Sequence, residues 1–283
     1  MEIRNEALWS RDRLDAEYTA RLSCSEADFH RIIGDYARLS DLAMGLAGAQ
    51  LGLPYDDRSA ERFDLFGTAP GAARPCVVFI HGGYWRALSR GHSAFLAPML
   101  AARGIACAVP DYTLAPAVSL TEITRQCRAL LAHLWHRADA LGIDRGRIVV
   151  TGSSAGGHLA AAVASAGWQA AAGLPAQPLR GVMPVSGLFD LAPLAASHVQ
   201  DWMRFTPAEI AALSPLRNLP AGPVPAVVAF AERETPGFPR QSAAYAEAIG
   251  APVLTVPGRN HFDVVLDLTD PDTALSRALL GMV

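Results

Sequence analysis

A chain of 283 residues, 51% hydrophobic and 18% charged, has enough apolar material for a full sheet covered on both faces, and it is not a disordered polymer. The net charge is −3 without any basic block, which speaks against nucleic acid or an anionic membrane as a partner. Apolar runs stop well short of the ~18 residues a membrane span needs, and the charged N-terminus lacks the apolar core of a signal peptide.

The four cysteines, Cys24, Cys76, Cys107 and Cys127, follow no metal-binding spacing. The expectation is a cytoplasmic protein with free thiols, using no metal and no cofactor. Its partner would be a small-molecule substrate. A homodimer is left open.

In chain order, residues 1 to about 60 are polar and helical, with Phe29, Ile32, Ile33, Tyr36 and Leu39 at helical spacing. Residues 62–66 alternate like an edge strand. From there strand-like and helical stretches alternate. Continuous β-branched runs at 76–80, 105–109, 147–151, 179–185, 226–230 and 252–256 read as buried parallel strands. Helices are expected over 89–102, 121–140, from 155 onward, and from about 262 to the end. Residues 190–220 carry several prolines and no periodicity. This pattern predicts one α/β domain over 1–283, a mostly parallel sheet with helices on both faces. The N-terminal segment and the 190–220 insertion would form a small cap.

The chemistry concentrates at Gly152-Ser153-Ser154-Ala155-Gly156, between a strand and a helix. A G-x-S-x-G pentad in that setting is the nucleophile elbow of α/β-hydrolases. The glycines permit a sharp turn that lifts the hydroxyl above the strand end, and the helix N-terminus points at the reacting centre. Ser154 fits the register; Ser153 does not, because Thr151 stands where a glycine would be needed. His81-Gly82-Gly83-Tyr84-Trp85 follows the first buried strand, where such a turn supplies backbone amides to an oxyanion. Gly82, Gly83 and Ala155 are the expected donors. Tyr84 and Trp85 could stack on an aromatic leaving group or pack in the core.

The base must follow the nucleophile, which leaves His158, His198 and His261. His158 lies in the helix after the nucleophile and His198 in the irregular insertion, while His261 sits in a loop after the last strand, where a base is needed. The acid should follow the 226–230 strand. Glu234 is favoured because it lies further past the strand end; Glu232 is the alternative. Asp190 follows an earlier strand, and Asp263 is too near His261 in sequence.

Residues 62–66, His81 to Trp85, Asp111-Tyr112-Thr113-Leu114-Ala115-Pro116, Gly152 to Leu159 and Asn260-His261-Phe262 together resemble the kynurenine formamidase (arylformamidase) branch of the α/β-hydrolases, near the hormone-sensitive-lipase-type esterases. The resemblance implies Ser154 as nucleophile, His261 as base and Gly82, Gly83 and Ala155 as oxyanion donors. It aligns Glu234 with a position that is usually Asp, and Ser153 with one that is usually His or Asp. Three functions compete on this basis: cleavage of formyl from an N-formylated aromatic amine, hydrolysis of small acyl esters, and non-catalytic binding of a small molecule.

Overall fold

Strands this apolar on both faces need a layer on each side. The computed structural model describes residues 3–283. Its strands are β1 (Gln50–Pro54), β2 (Arg62–Phe66), β3 (Arg74–Ile80), β4 (Ala106–Pro110), β5 (Ile143–Ser153), β6 (Gly181–Val185), β7 (Val228–Arg233) and β8 (Val253–Asn260). They form one sheet in the order β1-β2-β4-β3-β5-β6-β7-β8. The β1–β2 and β2–β4 pairs are antiparallel, and all others are parallel.

The two-residue period of a strand divides the core. Val78, Ile80, Val150 and Val182 face α4 (Leu120–His136) and α6 (Ala155–Ala164). Val77, Phe79, Val149 and Met183 face α2 (Glu26–Met44), α3 (Ala97–Ala101) and α11 (Ala274–Leu280). Cys76, Cys107 and Cys127 are buried in these layers, and burial pushes the Cys76 and Cys127 thiols up to about 12.

Several expectations are corrected. Residues 1 to about 60 are not all helical, since β1 pairs with β2, which is therefore not the edge of the sheet. β1 hides in the sequence because it is half-exposed and interrupted by Gly52, whose amide donates to Asp64 Oδ1 at 2.7 Å. The 89–102 helix shrinks to a 3-10 turn at Arg90–His92 and to α3, which carries Pro98 in its first turn. The C-terminal helix is split into a 3-10 stretch, Asp263–Thr269, and α11, with Pro271 between them. A helix without a sequence expectation, α10 (Gly237–Ile249), connects β7 to β8. Residues 190–220 contain α7 (Ala192–Ala195), α8 (Gln200–Met203) and α9 (Pro207–Leu213). The last begins with a capping box in which Thr206 and Glu209 satisfy each other's backbone amides.

Candidate active site

β5 ends at Ser153 and α6 starts at Ala155, so a single residue makes the turn. Ser154 holds φ +58 and ψ −118, a conformation that costs a non-glycine residue real strain. Two hydrogen bonds keep it there. Its amide donates to the Val185 carbonyl at 2.9 Å, and its carbonyl accepts the His158 amide at 3.0 Å. The flanking glycines are steric requirements. A Cβ on Gly156 would stand 2.0 Å from the Ile80 carbonyl oxygen, and one on Gly152 2.5 Å from that of Gly156.

The loop after β3 passes so close to this turn that a Cβ on Gly82 would lie 2.8 Å from the Ser153 carbonyl oxygen. Gly83 takes φ +90, and Tyr84 and Trp85 follow at φ +49 and +58. Among the described residues, neither the Gly82 nor the Gly83 amide is paired with an acceptor. Tyr112, within the Asp111 to Pro116 segment, braces the loop. Its hydroxyl donates to the His81 and Gly82 carbonyls, each at 3.1 Å, and its ring stacks on His81 at 4.1 Å. Burial lowers His81 to about 4, so this imidazole is neutral.

His261 directly follows β8 in a turn fixed by reciprocal bonds. The Asn260 amide donates to Asp263 Oδ1 at 2.6 Å, while Asn260 Oδ1 accepts the Phe262 and Asp263 amides at 2.9 and 3.1 Å. The Tyr36 hydroxyl of α2 donates to the Phe262 carbonyl, tying the N-terminal segment to this turn. The His261 ring lies 4.2 Å from that of Phe238, and its Nδ1 is 3.5 Å from Glu234 Oε1. The Glu234 side chain is fully buried. Glu232 instead accepts the Gly258 amide at 2.7 Å from an exposed position.

The other candidates have separate partners. Asp190 pairs with Arg217 at 3.0 Å. Asp263 Oδ1 is taken by the Asn260 amide. The fully buried His158 meets the Leu213 carbonyl at 2.8 Å and is lowered by burial to about 4.

Ser154, His261, Gly82 and Gly83 line one cavity of about 370 Å³, within the usual range for small-molecule sites. Ala155 is buried directly behind Ser154. Tyr84 lines the cavity and anchors itself by donating its hydroxyl to the Tyr18 carbonyl. Trp85 does not contribute to the wall. It is fully buried, edge-on to His158 and Phe205, because two successive left-handed residues turn it inward. Substrate contact by Trp85 is therefore corrected to core packing.

The remaining aromatic wall comes from Phe29 and Tyr36 of α2, Phe79, Phe95, Phe262 and Trp202. The helical spacing of Phe29, Ile33 and Tyr36 is visible in the sequence, but only the tertiary structure shows that this stripe faces a cavity. Met203 and Phe205, near Trp202 in sequence, are buried core residues instead.

The BD-FAE family matches residues 64–177. Kynurenine formamidase of Salmo salar is 30% identical over 261 residues, which cover 86% of this chain and 85% of that protein. The solved structure of a Silicibacter sp. tm1040 protein superposes with a TM-score of 0.81 at 31% identity, over 94% of this chain and 98% of that one. A Pyrobaculum calidifontis esterase gives 0.72 at 18% identity, over 89% and 90%, a likeness of fold. The sheet order and these neighbours define an α/β-hydrolase, and the protein is a hydrolase. The chain belongs to the kynurenine formamidase family.

Proposed function

We propose that this protein removes a formyl group from an N-formylated aromatic amine of the N-formylkynurenine type, with Ser154 as nucleophile, His261 as general base and Glu234 as the acid behind it. The observation that carries the reading is that two distant chain segments meet on one cavity while a third packs behind the histidine. Ser154 sits there on a strained turn, His261 shares the same wall, and the buried Glu234 carboxylate stands 3.5 Å from His261 Nδ1.

In this mechanism His261 takes the Ser154 proton as Oγ attacks the formyl carbon. The oxyanion is stabilised by the amides of Gly82, Gly83 and Ala155, and each such donor is worth about 2.7–4 kcal/mol in the transition state. The imidazolium, held in its tautomer by Glu234, then protonates the leaving amine. Water attacks the formyl-enzyme with His261 again as base, which releases formate. The rings of Tyr36, Phe79, Phe95 and Trp202 favour an aromatic leaving group. The residues before α2 and the 190–220 segment act as the cap, since both contribute wall residues, Arg21 and Trp202 among them.

Ser154→Ala is expected to abolish turnover and labelling by a fluorophosphonate while leaving the melting temperature within a few degrees of the parent. Undiminished hydrolysis in that variant would remove Ser154 from the mechanism.

A further inference from the structure

The carboxyl end of β6 touches two of the proposed catalytic groups at once. The Val185 carbonyl accepts the Ser154 amide at 2.9 Å. One residue later, the Ser186 hydroxyl donates to Glu234 Oε1. Ser186 is completely buried and sits at φ +50, in the left-handed region where glycine would be unstrained. Its amide is pinned to the Ala229 carbonyl at 2.8 Å. A side chain therefore persists at a backbone position that disfavours one, and its only polar atom is directed at the carboxylate.

Glu234 needs such an anchor. A glutamate carries one more rotatable bond than an aspartate, so its carboxylate can swing away from the imidazole. Oε1 accepts from both the Ser186 hydroxyl and, at 3.1 Å, the Ala231 amide. These two donors come from neighbouring strands and fix the end of the side chain in space. His261 Nδ1 lies 3.5 Å from that same oxygen, within ion-pair reach but without a hydrogen bond, and Oε2 is likewise buried without one.

We infer that Ser186 is a positioning residue for this hydrolase, its hydroxyl holding Glu234 in the rotamer that faces His261. The inference rests on the Ser154–His261–Glu234 reading above.

The test is steady-state kinetics on p-nitrophenyl acetate, which does not presuppose a formamide substrate, using the full chain with Ser186→Ala, Ser186→Gly and Glu234→Gln, singly and combined. A charge-assisted hydrogen bond of this kind predicts that each Ser186 variant lowers kcat by about 10- to 100-fold, with KM changed less than about threefold. Added to Glu234→Gln, neither should lower kcat further, because the group Ser186 acts through is already gone. Ser186→Gly relaxes the backbone, so it separates loss of the hydroxyl from loss of the fold. Parental kcat in Ser186→Gly, or an equal loss in the Glu234→Gln background, overturns the positioning role while leaving the triad in place. Parental kcat in Glu234→Gln alone overturns the triad reading and this inference with it.

Discussion

Glu232 and Glu234 stand two residues apart, yet one accepts the exposed Gly258 amide of β8 and the other lies buried beside an imidazole. Their substitution should separate them sharply. Glu234→Gln is predicted to lower kcat by about 10³–10⁴-fold, the scale seen when a triad acid can no longer hold the histidine tautomer. Glu232→Gln should stay within about threefold, since its hydrogen bond braces only the Gly258 turn. Equal effects in the two variants would contradict the assignment.

Sequence alone separates Ser154 from Ser153 because the flanking glycines fix the register. It favours Glu234 over Glu232 by distance from the strand end and by the resemblance, which aligns Glu234 with a position that is usually Asp. The structural difference arises because β7 runs on to Arg233, which leaves Glu232 on the strand opposite Gly258, whereas Glu234 lies just past the strand end, where its carboxylate meets Ser186 and the Ala231 amide; that strand end has no sequence signature here. Ser186 was illegible for a related reason: nothing local marks a serine whose partner lies 48 residues away. Trp85 misleads because its side-chain direction depends on two left-handed backbone angles.

The helices offer a paired test. Alanine is a better helix former than glycine by about 0.5–1 kcal/mol. Gly34 in α2 has open space where a Cβ would go, so Gly34→Ala is predicted to raise stability by about that amount in urea melts. Gly156 in α6 is the reverse case, with the Ile80 carbonyl oxygen 2.0 Å from the added carbon. Gly156→Ala should cost several kcal/mol or prevent folding, despite the gain in propensity. A stabilised Gly156→Ala would mean that α6 does not pack against β3 this closely.

Among elements, the buried strands were readable because they are continuous β-branched runs. β1, half-exposed, and α10, whose Gly237 and Pro239 read as loop punctuation, were not. A proline in a first turn is tolerated, and only the packing of Phe238 and Tyr245 shows α10 to be a covering helix.

At the scale of the whole molecule, His81 and His158 are both buried and lowered by burial from 6.5 to about 4. Each is neutral when folded, whereas the unfolded chain binds a proton near pH 6.5. Their contribution to stability is therefore present above pH 6.5 and lost progressively as pH falls toward about 4. Urea melts are expected to show stability declining by a few kcal/mol across that window. An unchanged midpoint would mean that neither histidine is held neutral by burial. No helix among the described residues is long and apolar enough to cross a membrane.

On the function proposed above, this cavity cleaves an aromatic formamide. The most direct measurement is kcat/KM of the purified protein for N-formylkynurenine, taken beside p-nitrophenyl acetate. A value for the formamide within the enzymatic range of about 10⁴–10⁸ M⁻¹s⁻¹, and above that for the ester, is the predicted result. Hydrolysis of the ester with no turnover of the formamide would contradict the formamidase reading and leave an esterase built on the same serine.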